Sequence, residues 1–338
     1  MLSVVSPCYN EGPGLRQLVQ ALQETLPEVT PDFEVILVDD GSSDDTLAQL
    51  RAVAREDPRF RYLALSRNFG KEAAMLAGMS EAAGDAVAII DADLQHPPEL
   101  LKRMLPLLDH GFDQVVAKRT RAGDAAARTF ASRIYYRLVN HLMDVRLQDG
   151  VGDFRVLSRK AVDALLSLRE YNRFSKGLFS WIGFDSATVN YENVLREVGE
   201  SKWGLRRLLN YGIDGVISFN SKPLRSAIHF GLLMSALAFI YAAWIVARAL
   251  VTGVSSPGYV TIICAIVGFG GLQMIMLGIV GEYLGRIYLE TKGRPHYLFK
   301  ETSESPRAAI VSSAPVIPEA HAARDGSLGA SPRGSGIE

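Results

Sequence analysis

The chain has 338 residues, 48% of them hydrophobic and 22% charged, and 36 Lys and Arg against 37 Asp and Glu leave a formal net charge of −1. That length admits one large domain with a further element, or two domains, and the near-neutral balance argues against a nucleic-acid-binding protein. The two cysteines, Cys8 and Cys264, argue against a disulfide framework or a cysteine-based zinc site. MLSVVSP at the start has no basic segment followed by a cleavage site, so no signal peptide is expected.

Along residues 1–120, short apolar segments alternate with helical spacing. Strands are predicted at 2–6, 34–38, 61–66, 86–90 and 113–117, and helices at 12–26, 44–56, 70–83 and 98–110. Such alternation implies right-handed βαβ units and an α/β fold with a mostly parallel sheet covered on both faces. Ligands in these sheets bind beyond the carboxyl ends of the strands. Those ends read SPCYNE (6–11), DDGSSDD (39–45), RNFGKE (67–72), DADLQ (91–95) and AKR (117–119), which gathers the polar chemistry on one edge.

Further on, segments 128–143 and 203–219 carry apolar residues at helical spacing with basic residues interspersed, the pattern of helices lying in a membrane interface or packed on the sheet. From Phe230 to Ala247 there are 18 uncharged positions, about 27 Å of helix at ~1.5 Å per residue, and from Val254 to Gly281 there are 28. Two such runs in tandem predict a membrane hairpin. The loop between them lacks Lys and Arg, whereas Lys222, Arg225, Arg286, Lys292 and Arg294 flank the pair. The positive-inside rule therefore places both ends and the soluble domain in the cytoplasm. Gly268, Gly270, Gly271 and Gly278 suit close helix contacts, and a homo-oligomer is expected from them. The expected division is a catalytic domain over 1–200, an interfacial helix over 201–225, spans over 226–250 and 254–284, a juxtamembrane segment over 285–300 and a disordered tail over 301–338.

Asp91 and Asp93 lie two apart on an extended segment, so their carboxylates share a side. Carboxylates so held repel unless a cation or a proton relieves them. A divalent cation suits hard oxygen ligands, with substrate phosphates completing its shell and Gln95 as a further candidate ligand. A solvated acidic loop is the alternative. Asp39 is suited to accept from a base or a ribose hydroxyl, and Asp44 to a structural role at the start of a helix. His96 and His141 stand isolated and are given no metal. The first βα turn has no GxGxxG, against a dinucleotide cofactor, and the chain has no GxxxxGK[ST], against a P-loop.

Taken in order, VVSPCYNE, VDDGSSDD, RNFGKE, DADLQHPPE, AKR, VGDFRVLSR, ESKW and EYLGRIYLETKGRPHY resemble a polyprenyl-phosphate glycosyltransferase of the family 2 glycosyltransferases, in the branch of bactoprenol glucosyltransferases and dolichyl-phosphate mannose synthase-like enzymes. The resemblance covers roughly residues 2–300. It implies a GT-A (Rossmann-like) catalytic domain, a UDP-sugar donor, a Mg²⁺ or Mn²⁺ ion and inverting transfer to a polyprenyl phosphate. It further implies that Pro7, Tyr9, Glu11, Asp39 and Asp91 bind the donor nucleotide sugar, and that Asp93 and Gln95 hold the metal. Arg119, Arg133, Arg155 and Lys202 would hold the acceptor phosphate, and Asp153 would join Asp91, Asp93 and Arg119 in the catalytic set. The cation would stabilise the leaving UDP as a Lewis acid. The acceptor phosphate, mostly dianionic at neutral pH with a second pKa near ~6, would attack without a strong base. Glucose from UDP-glucose is the sugar expected from the nearest branch, with N-acetylglucosamine and mannose as alternatives. A processive polysaccharide synthase would carry a QxxRW motif, which is absent. A catalytically silent membrane adaptor is the remaining alternative.

Overall fold

A computed structural model describes residues 1–120, 151–191, 258–303 and individual positions between 229 and 251. The side chain of Arg119 and five side chains in the first turns of the last helix fall outside that set. The described elements run β1 (Leu2–Cys8), α1 (Gly12–Val29), β2 (Phe33–Asp39), α2 (Thr46–Glu56), β3 (Phe60–Leu65), α3 (Lys71–Glu81), β4 (Ala86–Ile89), a 3₁₀ turn (Pro98–Leu100), α4 (Leu101–Asp109) and β5 (Gln114–Arg119). After them come β6 (Val151–Ser158), α5 (Arg159–Ser167), α6 (Ser175–Trp181), β7 (Ser186–Tyr191), α7 (Tyr259–Thr291) and β8 (Phe299–Thr302).

The described strands form one sheet in the order β7-β5-β6-β4-β1-β2-β3-β8. β1 pairs in parallel with β2 and β4, β2 with β3, and β5 with β7. β6 runs antiparallel between β4 and β5, and β8 antiparallel along β3. The period of two sorts successive residues to opposite faces. Val4, Val35 and Leu37 pack under α1 and α4 with Leu15, Leu18, Leu22, Leu101 and Met104. Their neighbours Val5, Ile36 and Val38 pack on the other face with Ala74, Met75, Val162 and Leu178 of α3, α5 and α6. Both faces are covered, which is why β1 and β2 read as continuous apolar runs rather than as alternating ones.

The first five strands and four helices fall where the hydrophobic pattern puts them, with ends shifted by a few residues. The predicted helix 98–110 divides, its Pro-Pro start forming the 3₁₀ turn before α4. Three strands escape the pattern. In β6, Gly152 and Asp153 interrupt the alternation that Phe154, Val156 and Leu157 would otherwise announce. β8 takes Glu301 and Thr302, which the expected boundary assigns to the tail. Their order comes from pairing with Leu63 and Ala64, and from a two-pronged ion pair of Arg51 with Glu301 at 2.7 and 2.8 Å.

Counted over the described residues, no helix is long and apolar enough to cross a membrane. The first expected span is described only at individual positions, and the second overlaps α7, which extends on to Thr291. α7 leaves Ile262, Ile266, Met274, Ile275, Leu277 and Leu284 exposed along its length. A Cβ placed on Gly231 would stand 3.7 Å from Met276 Cε, so the two apolar segments lie side by side there. The amphipathic segment 128–143 and the interfacial helix 201–225 lie outside the described residues, as does the tail from 304.

Candidate active site

The loops leaving β1 and β2 are wired to each other through polar contacts. Asn10, at φ +54°, donates its N–H to Ser42 Oγ at 3.0 Å and accepts from Ser43 N–H at 2.9 Å. Asp44 accepts from the N–H groups of Thr46 at 3.0 Å and Gly12 at 3.2 Å, so it ties the starts of α1 and α2 together. That is the structural role expected of it. The residue at the helix boundary itself is Asp45, whose side chain caps no N–H. Buried Asp39 accepts Ser42 N–H at 3.1 Å. Asp40 receives the N–H groups of Phe69 at 2.7 Å and Gly70 at 2.9 Å, which fixes the entry to α3; burial raises its pKa against these hydrogen bonds. Between the two loops Gly41 sits at φ +67°, and a Cβ there would come within 2.4 Å of the Arg67 carbonyl carbon. Only glycine fits both demands.

The end of β4 is built differently. After Asp93, Leu94 adopts φ +52°, a strained conformation for a branched residue, and the Gln95 N–H turns back to Asp93 Oδ1 at 3.2 Å. This turn brings His96 up beside the carboxylates. Asp91, Asp93 and His96 each offer a ligand atom, all within 4.8 Å of one another. The His96 ring is held between Phe154 and Tyr191, with centroids 5.6 Å away in each case. A Cβ on Gly152 would lie 3.0 Å from its Nε2, so the strand passes close by. Burial lowers the His96 pKa and favours the neutral imidazole, and its buried Nδ1 has no hydrogen-bond partner. Two hard carboxylates with a neutral, unsatisfied imidazole fit a divalent cation. His96 thus enters the cluster against the expectation that it stands isolated. Gln95 contributes the backbone N–H that shapes the turn.

Lys71 joins the ends of three strands. It is the first residue of α3, and its Nζ contacts Asp91 Oδ1 at 2.6 Å and also Asp153 Oδ2 of β6. Burial would lower the Lys71 pKa, but the pull of Asp153 and Asp91 outweighs it and the ammonium is held above its ordinary range. For Asp153, burial works upward, yet Lys71 and then Lys176 hold the carboxyl down at about 2. Arg155 follows on β6 with its guanidinium buried. It lies 3.4 Å over the Phe179 ring and donates to the carbonyls of Gly152 at 3.0 Å and Asp153 at 3.3 Å. That geometry braces the Asp153 turn.

The other expected positions are placed as follows. Pro7 lies within β1 opposite Val38, Tyr9 is exposed just beyond it, and the Glu11 N–H bonds Thr46 Oγ1 at 3.0 Å. These three line the same edge as Asp39 and Asp91. The backbone of Arg119 ends β5 beside Tyr191 of β7, its side chain lying outside the described residues together with Arg133 and Lys202. A cavity of about 300 Å³ beside the first turn of α3 is lined by Arg67, Phe69, Glu72, Tyr171, Arg173 and His296.

Lys71 and His96 are the residues that sequence reasoning missed. A signal for Lys71 existed: a lysine at the positive end of a helix is unfavourable by about 0.3–1 kcal/mol, and such local violations concentrate at functional sites. For His96 the signal was only adjacency, because the strained turn at Leu94 that presents it is not written in residue type.

Residues 3–166 match the model for glycosyl transferase family 2, and residues 222–287 match that for a GtrB C-terminal hairpin. The putative glycosyltransferase CsbB of Bacillus subtilis (strain 168) is 50% identical over 303 residues, spanning 90% of this chain and 92% of that protein. The bactoprenol glucosyl transferase of Shigella phage SfX is 38% identical over 301 residues, spanning 88% of this chain and 98% of that protein. Among solved structures, the mannosyltransferase PcManGT from Pyrobaculum calidifontis in complex with GDP-Man and Mn²⁺ aligns over 85% of this chain and 84% of its own, at 19% identity and a TM-score of 0.44.

Proposed function

This chain belongs to glycosyl transferase family 2 and is a glycosyltransferase, and from that premise we propose that it transfers a hexose, glucose from UDP-glucose, to a polyprenyl phosphate at the cytoplasmic face of a membrane. The reaction is metal-dependent and inverts the anomeric centre. The observation that carries the chemistry is the Asp91–Asp93–His96 cluster at the carboxyl edge of the sheet, beside Asp39 and Tyr9. The lipid acceptor rests on the relatives named bactoprenol glucosyl transferase, which match through the hairpin region as well as the soluble domain.

Asp39 and the loop of Tyr9 and Glu11 receive the nucleoside, and Asp91 faces the sugar end of the donor. Asp93 and His96, with Asp91 beside them, would hold the divalent cation, Mg²⁺ or Mn²⁺. When bound, that ion supplies Lewis-acid neutralisation of the departing diphosphate. Asp153, kept ionised by Lys71, orients the incoming acceptor. Arg119, Arg133 and Lys202 offset the repulsion between a dianionic acceptor and an anionic donor, Arg being suited to bidentate phosphate contact.

Membrane attachment is part of the same reading. The exposed Ile262, Ile266, Met274, Ile275 and Leu284 of α7, with Leu233, Ile240, Trp244 and Leu250 of the neighbouring segment, form an apolar surface that calls for lipid. Basic residues on both flanks keep both ends cytoplasmic. Glycines on α7 with nothing within 4 Å of an added Cβ, such as Gly268, Gly270 and Gly271, leave room for a second copy.

The test is transfer from radiolabelled UDP- and GDP-sugars to undecaprenyl phosphate in detergent, with and without chelator. Label in the lipid phase from UDP-glucose, lost with chelator and in Asp93→Ala, is the expected result. Label from another donor replaces the sugar, and no label from any donor overturns the lipid-phosphate reading.

A further inference from the structure

Lys71 bridges two carboxylates of this site and has no task of its own in the reading above. Its ammonium touches both Asp91 and Asp153, whereas Asp91, Asp93 and His96 form the neighbouring edge of the same cluster. The ammonium offsets one of the three charges of Asp91, Asp93 and Asp153 and occupies the edge between the first and the last of them. Without the ammonium, Asp91 and Asp153 would face each other as a second pair of hard oxygen ligands sharing Asp91 with the first, the arrangement by which bridging carboxylates build two-metal sites. Lys176 and Arg155 add to the positive field at Asp153, but Lys71 reaches both carboxylates. Its place is fixed from behind, because Asp40 grips the N–H groups of Phe69 and Gly70 immediately before it.

We propose that Lys71 is a positioning residue serving as the resident monocation of the site: it closes the Asp91–Asp153 edge and thereby limits the site to a single divalent cation on the Asp91–Asp93–His96 edge. The inference rests on the metal-dependent reading above. It assigns the lysine a role in metal count and in holding Asp153, distinct from contact with the donor.

Mn²⁺ binding to the full-length protein in detergent, followed by titration calorimetry and by electron paramagnetic resonance, tests it. Wild type takes up one Mn²⁺ per chain. Lys71→Met takes up two, with a spin-coupled signal, and returns to one when combined with Asp153→Asn. Lys71→Arg, which keeps the charge, stays at one. In chelator, Lys71→Met melts several degrees below wild type and Asp153→Asn in the same chain restores most of the loss, a readout independent of metal and of turnover. One Mn²⁺ in Lys71→Met at unchanged affinity overturns the inference, as does an unchanged count with weakened UDP binding, which would make Lys71 a phosphate ligand. Wild-type protein that takes up no Mn²⁺ sinks the metal-dependent reading and the single-cation count together, whereas one ion in both proteins sinks the Lys71 inference alone.

Discussion

The acids at the end of β2 and those after β4 occupy equivalent places, at the carboxyl ends of the two parallel strands that flank β1, yet they are treated in opposite ways. Asp40 and Asp44 each accept two backbone N–H groups, and Asp39 accepts one. The charge of Asp40 and Asp44 is spent on fixing loops. Asp91 instead meets a lysine side chain, and Asp93 closes a strained turn beside a histidine whose inward nitrogen has no partner. Asp40 and Asp44, each satisfied by two backbone N–H groups, act as scaffold, whereas Asp91 and Asp93 stand beside Lys71 and His96, placed for chemistry. Glu34, at the opposite end of the sheet, is likewise satisfied within the protein, by two side chains and one backbone N–H. It accepts from Ser3 Oγ at 2.6 Å, Ala83 N–H at 2.8 Å and Arg61 at 2.8 Å, far from any substrate.

The largest expected effect comes from the chemical carboxylates. Asp93→Asn should lower sugar transfer by roughly 10³-fold, about 4 kcal/mol of transition-state stabilisation, with an unchanged melting temperature. Radiolabel transfer alongside thermal melts checks this, and a comparable loss of stability would move Asp93 to the scaffold class. Asp40→Ala should do the reverse in kind. Leaving the N–H groups of Phe69 and Gly70 unpaired costs about 1–3 kcal/mol each at most, read as a lower denaturation midpoint. Transfer should fall only as far as the start of α3 shifts Lys71.

Glu34→Gln should cost about 1–2 kcal/mol without changing kcat, and its pH dependence sharpens the contrast. Burial works to raise the Glu34 pKa, but the hydrogen bonds from Ser3, Ala83 and Arg61 win and it lies below its ordinary value. The unfolded chain therefore binds this proton more readily. The stability that Glu34 contributes is present above its unfolded pKa of about 4.3 and is lost as pH falls through the folded value. Denaturant midpoints of wild type and Glu34→Gln should converge on acidification below pH ~4, and a constant gap would contradict the linkage. The smallest effect belongs to Arg51→Ala. Its pair with Glu301 is partly exposed on both sides, so about 0–1 kcal/mol is expected, with local loss of hydrogen-exchange protection along β8.

The sequence by itself determined the alternation of the first five strands with four helices, because burial on both faces writes long apolar strands and periodic helices. It also showed which carboxylates end which strands, since that depends on position along the chain alone. Family membership followed from the order of the motifs. Only the tertiary structure decided that β6 inserts antiparallel between β4 and β5, and so carries Asp153 to Lys71, because that pairing joins residues 82 apart and leaves no local periodicity. It likewise decided that His96, turned by the strained Leu94, stands with Asp91 and Asp93, and that β8 returns past α7 to cover the edge of β3. Each of these rests on where a distant segment comes to lie, a cost in chain entropy repaid by contacts that no single stretch of sequence contains.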